Sequence, residues 1–169
     1  MLHDALELCD GPVMIRYPKG QARQVGDLEV GLGLRAKQLR AGDGRVCVLA
    51  LGKMVGNAER AVATLADEGV DATLWDIRVA KPLDPAMIAD AARHGAVVTA
   101  EDGIREGGVG ALVLDAIDRV NRELGTTTAV ITHNAVIASL ADRVISLSDG
   151  RIASMRHNDR KVAAGELVW

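Results

Sequence analysis

RVCVLALGKMVGNAERAVATLADEGVDATLWDI, residues 45–77, holds two strands and the helix between them. RVCVLAL (45–51) is an unbroken apolar run, the pattern of a strand buried on both faces. In Met54–Glu68 the apolar residues Val55, Ala58, Val62, Leu65 and Ala66 recur at helical spacing, and Gly69 stands where a helix needs a left-handed residue to stop. DATLWDI (71–77) is the second strand. Downstream the rhythm repeats. Asp84-Pro85 reads as N-cap and first helical residue, with Met87, Ile88, Ala91 and Ala92 as an inner face. AVVTAE (96–101) is a third strand, and Gly107–Leu124 an amphipathic helix with Val109, Leu112, Val113, Ala116, Ile117 and Val120 on one stripe. TTTAVIT (126–132) reads as a fourth strand, and Asn134 as the cap of a short helix, Ala135–Leu140. Strands alternating with helices over short connections imply an α/β fold: a mainly parallel sheet with helices on both faces.

The rhythm changes at both ends. RVISLS (143–148), Asp149-Gly150 and RIASMRH (151–157) imply a C-terminal β-hairpin. Before residue 34 the reading is a short helix (Leu2–Leu8), a short strand (Val13–Tyr17) and a Gly-rich linker from Gly20 to Gly33.

Composition narrows the function. Of 169 residues 49% are hydrophobic but only 2% aromatic, so the core is aliphatic. That disfavours base-stacking RNA readers and aromatic-rich β-sandwiches. A net charge of −3 does not favour a phosphate backbone, so no nucleic-acid partner is expected. Cys9 and Cys47 match no metal or disulfide spacing, which fits a reducing compartment. No apolar run is long enough to span a bilayer, and MLHDALELCD lacks the basic flank of a signal peptide. The expectation is a cytoplasmic chain without direct membrane insertion.

Four patterns bear on chemistry. Walker A and G-x-G-x-x-G are absent in the required contexts. IRYPKG (15–20) places Arg16 and Tyr17 at a strand end, where a guanidinium fork can hold a phosphate; an ordinary surface arginine fits the pattern as well. DIRVAKPLD (76–84) places Arg78 and Lys81 just past the carboxyl end of a parallel strand, the edge where open α/β sheets bind ligands; a cationic loop before a capped helix is the alternative. AEDGIREGGVG (100–110) sets acids at another strand end before glycines that open a helix, allowing close approach to its N-terminus. His3, His94, His133 and His157 are dispersed, and a lone histidine is more often structural than catalytic.

Together, DGPVMIRYPKG (10–20), VLALGKMV (48–55), DIRVAKPLD and VVTAEDGIREGGVG (97–110) resemble, in order and spacing, the C-terminal portion of the 1-deoxy-D-xylulose-5-phosphate synthases of the transketolase superfamily. Lys19 and Val79 depart from that pattern, standing where arginine and an aromatic are usual. The resemblance implies a condensation of pyruvate with glyceraldehyde 3-phosphate in isoprenoid-precursor synthesis, with Arg16 and Arg78 helping to hold the aldehyde's phosphate. It implies thiamine diphosphate and Mg²⁺ in the intact family, with neither bound by this chain alone because the domain that holds them is missing; a lone phosphate clamp cannot supply carbanion chemistry, which belongs to the cofactor. Residues 1–33 would be a remnant of the pyrimidine-binding domain and a linker, and 34–110 the C-terminal-type domain. Self-association, or docking to synthase-like domains, is the expectation for partners.

Residues 111–169 also resemble the end of an ABC-transporter ATP-binding subunit of the lipoprotein- or macrolide-export type, in the strings ITHN, ADRVI and SDGRI. That resemblance implies a seam near Gly110 and a switch histidine at His133, although the phosphate loops of such ATPases are missing upstream. A chimeric, non-catalytic α/β module is the third expectation.

Overall fold

The structure, a computed structural model, describes residues 2–8, 11–17, 26, 31, 33–102, 108–124, 137–148 and 151–162. Its centre is β2 (Val46–Ala50), which alternates its side chains between two apolar layers. Cys47 and Leu49 enter one layer, with Ile77, Val97, and residues of α3 (Pro85–Ala91) and α4 (Val109–Leu124). Val48 and Ala50 enter the other, with Leu74 and the Val55, Ala58, Val62 stripe of α2 (Met54–Asp67). Helices therefore cover both faces. Fully burying one such Val or Leu contributes about 1.5–3 kcal/mol.

β2 pairs in parallel with β3 (Thr73–Asp76) on one side and β4 (Ala96–Ala100) on the other. A short antiparallel strand, β1 (Lys37–Arg40), extends the edge beyond β3, giving the order β1-β3-β2-β4. α2 leaves the carboxyl end of β2 toward one face, while α3 and α4 follow β3 and β4 on the other. Chain directions diverge around β2, which places a topological switch point at the carboxyl ends of these strands.

Local chemistry sets the boundaries. α2 stops in a Schellman arrangement: the Val70 N–H reaches the Leu65 carbonyl (2.8 Å), the Gly69 N–H reaches that of Ala66 (3.0 Å), and Gly69 takes φ 81°. α3 opens as its sequence implies, with the Asp84 carboxylate accepting the Ala86 N–H at 2.8 Å and Pro85 as its first residue. Met87, Ile88, Ala91 and Ala92 are all buried.

The C-terminal hairpin is present as a separate two-stranded sheet of β5 (Arg143–Ser148) and β6 (Arg151–His157). Asn158 ties its base to a 3-10 turn at Ile137–Leu140, donating to the carbonyls of Ala138 (2.8 Å) and Ala141 (2.7 Å). α1 (Leu2–Leu8) forms where expected.

Three expectations change. Val13–Tyr17 is not a strand; it pairs with no other strand among the described residues, and Val13, Met14 and Tyr17 are exposed. β1 is a strand that hydrophobic pattern did not anticipate, because KQLR is polar and lies on the sheet edge. Leu112 is 42% exposed rather than packed with Val113 and Ile117. TTTAVIT, Asn134 and the Asp149-Gly150 turn lie outside the described residues.

Candidate functional site

The carboxyl edge of the sheet gathers three segments: Gly52-Lys53 after β2, Ile77-Arg78-Val79 after β3, and Glu101-Asp102 after β4. Arg78 is the centre of the middle segment. It has φ 55°, a left-handed conformation that costs a non-glycine residue about 1–2 kcal/mol. The Val79 N–H donates to the Ile77 carbonyl at 2.6 Å, closing a three-residue turn around Arg78. A γ-turn with positive φ at its centre is the rarer, strained hand. The Asp76 carboxylate supports it by accepting the Arg78 N–H at 3.1 Å.

The Arg78 side chain is pinned from the linker. Its Nη1 donates to the Arg35 carbonyl (2.6 Å) and its Nη2 to the Gly31 carbonyl (3.1 Å). Gly31 is needed for that approach: a Cβ there would stand 2.4 Å from Arg78 Cζ. The peptide unit joining Arg35 to Ala36 is held at both ends, because the Ala36 N–H donates to Asp84 Oδ2 at 2.9 Å. Asp84 thus caps α3 with one oxygen and anchors the linker with the other.

The flanking segments are self-satisfied. Glu101 accepts the N–H groups of Val109 (2.8 Å) and Gly110 (3.1 Å), so the chain's own carboxylate occupies the α4 N-terminus. A Cβ on Gly110 would meet Glu101 Oε1 and Thr99 Oγ1 at 3.3 Å, so glycine here favours intramolecular capping. Lys53 and Asp102 form an exposed ion pair across the switch point; such a pair contributes about 0–1 kcal/mol. Arg16 is exposed, and no hydrogen bond or ion pair ties it to Arg78 among the described residues. Lys81 is exposed, and His133 lies outside the described residues.

Sequence reasoning found Arg78 but not its supports, Gly31, the Arg35 carbonyl, Asp76 and Asp84. The string D-x-R-x-x-x-P-L-D already contained the two acids; the linker contacts, more than 40 residues away, left no local signal. At the opposite edge His94 has a structural role. Its Nε2 lies 2.8 Å from Thr73 Oγ1 and its Nδ1 2.9 Å from the Asp90 carbonyl. Cys47 is sealed in the core, and burial, with the nearby Asp90 charge second, pushes its thiol up to about 12.

Thiamine diphosphate and Mg²⁺ find no fit among the described residues. No three His, Cys, Asp or Glu side chains there gather as a metal site, and the α4 N-terminus is already taken by Glu101.

Fold and edge define a mainly parallel α/β module with an arginine on a strained turn at the carboxyl edge of its sheet. The model of the transketolase C-terminal domain matches residues 34–148, and the chain belongs to that family. Curated relatives include 1-deoxy-D-xylulose-5-phosphate synthase of Thermobifida fusca, 33% identical over 153 residues, covering 86% of this chain and 24% of the relative. The enzyme of the same name from Anaeromyxobacter dehalogenans is 40% identical over 147 residues, covering 79% and 23%. The chain thus spans about a quarter of the length of these relatives. Among solved structures, a split gene transketolase described as an inactive β4 tetramer aligns with TM-score 0.53 and 32% identity, covering 64% of this chain and 35% of that one. The family match runs unbroken across Gly110, as does α4, which leaves the seam and the ABC-transporter segment without support. Among the described residues no helix is long and apolar enough to cross a membrane.

Proposed function

We propose that this chain is the C-terminal module of a 1-deoxy-D-xylulose-5-phosphate synthase-type enzyme. In this reading it presents Arg78 to the phosphate of glyceraldehyde 3-phosphate, while other domains supply thiamine diphosphate, Mg²⁺ and the reaction with pyruvate. The observation that carries it is Arg78 itself: a guanidinium held on a strained turn at the carboxyl edge of the sheet. Strain of about 1–3 kcal/mol at a polar residue is characteristic of functional sites. Arg16 is the second phosphate ligand in this reading, brought to the Arg78 edge by contact with a neighbouring domain. Residues 1–33 are then the tail of that domain and a linker.

Alone, the chain is proposed to be inactive and to self-associate or dock. Leu2, Leu6, Met14 and Tyr17, all near the N-terminus, are exposed, as expected of a surface that a neighbouring domain covers. The split gene transketolase that aligns with this chain over 35% of its own length is described as an inactive β4 tetramer, in keeping with an inactive, self-associating chain. Light scattering of the chain mixed with a synthase lacking its own C-terminal domain tests docking. A 1:1 complex is expected; two unmixed species would contradict it.

A further inference from the structure

The Arg78 guanidinium meets Gly31 and Arg35 of the linker, more than 40 residues away in sequence, through their backbone carbonyls. We propose that Gly31 and Asp84 are positioning residues, which aim the Arg78 guanidinium at an anion on the carboxyl edge. This rests on the reading of Arg78 as a phosphate-gripping residue and adds what sets its direction.

Three observations carry the inference. First, the two carbonyls take one N–H from each terminal nitrogen, at 2.6 and 3.1 Å. Two such bonds, one on each terminal nitrogen, fix the plane of the guanidinium. Second, the Arg35 carbonyl is itself fixed. The amide of the same peptide unit donates to Asp84 Oδ2, and Asp84 is locked by its other oxygen to the first turn of α3. A carboxylate, a peptide unit and a guanidinium thus form one hydrogen-bonded series, in which each link polarises the next. Third, only a residue without Cβ lets the linker lie against the guanidinium, since alanine at 31 would stand 2.4 Å from Cζ, Nη1 alike. That clash is with the far end of a flexible side chain, so the arginine would swing away while the backbone stayed. The site therefore has a guanidinium whose direction depends on the linker, and a linker whose position depends on the helix cap. Preorganisation of this kind is what a charged clamp requires to bind tightly.

The test compares wild type, Gly31→Ala and Asp84→Asn as full chains, with Arg78→Ala as the blank. Inorganic phosphate is titrated at neutral pH, and the side-chain Nε–H resonance of Arg78 is followed by NMR. Gly31→Ala is expected to weaken phosphate binding about tenfold, the size of one lost charge-assisted hydrogen bond. The Arg78 resonance should move to the position of a freely rotating arginine, while the melting temperature stays within about 2 °C. Asp84→Asn, which cannot accept at both Ala36 and Ala86, should change affinity in the same direction. Wild-type affinity and an unmoved Arg78 resonance in Gly31→Ala would overturn the positioning role and leave the phosphate reading standing. A wild-type chain that binds no phosphate would overturn that reading and the proposal with it.

Discussion

Replacing Thr73 with valine removes one hydroxyl and changes the shape of the site little. Thr73 begins β3 and is 2% exposed. Its Oγ1 accepts the Gly42 N–H at 2.9 Å and lies 2.8 Å from His94 Nε2. The Asp90 carbonyl opposite His94 Nδ1 can only accept, so Nδ1 carries the proton, and in the neutral ring Nε2 accepts from the Thr73 hydroxyl. Valine therefore leaves two groups unpaired, the Gly42 amide and the His94 nitrogen. An unsatisfied buried polar group costs about 1–3 kcal/mol, and valine's better strand propensity returns only a few tenths. The expected loss is about 2–3 kcal/mol, or roughly 5–10 °C in melting temperature for a chain of this size. Thr73→Ser keeps the hydroxyl and loses one methyl, about 0.8 kcal/mol. Thermal and urea unfolding followed by circular dichroism measure both. A valine variant as stable as the serine variant would refute the network as a source of stability.

Gly42→Ala is expected to cost about 3 kcal/mol by urea midpoint, because its Cβ would stand 2.3 Å from the Asp71 carbonyl oxygen and 2.5 Å from the Thr73 nitrogen, which are backbone atoms that cannot yield. Glu101→Ala removes the acceptor for the first two N–H groups of α4 and should destabilise by about 1 kcal/mol, with Glu101→Gln in between. Cys47 should resist iodoacetamide at pH 8 until the chain is unfolded, as peptide mapping would show. Its thiol is raised from 9.0 to about 12 in the fold, so the unfolded chain releases its proton first. Stability from this group is whole below about pH 9 and falls by up to about 1.4 kcal/mol per pH unit toward 12; Cys47→Ala should flatten that part of the stability curve.

Much of the fold was readable because its signals are local. The apolar run at 46–50, the α2 stripe ending at Gly69, and Asp84-Pro85 before α3 each need only neighbouring residues to be recognised. Edge elements were less readable. β1 is polar and exists because β3 offers it an open edge, whereas Val13–Tyr17 has strand-like residues but no strand to pair with among those described. The candidate site divides in the same way. Arg78 could be found from its place after a parallel strand, but its positive φ and its linker carbonyls depend on contacts 43 and 47 residues away. The glycines before α4 hinted at an open helix terminus; Glu101, seen in sequence only as an acid at a strand end, closes it.

The role proposed for this module is to supply an Arg78-bearing edge to a synthase. The most direct measurement is product formation by a 1-deoxy-D-xylulose-5-phosphate synthase lacking its C-terminal domain, given pyruvate and glyceraldehyde 3-phosphate, with either wild-type chain or Arg78→Ala added. Product is expected to rise with added wild-type chain and to stay at background with Arg78→Ala, although both bind the truncated enzyme equally. No product with the wild-type chain, or equal product with both, would contradict it.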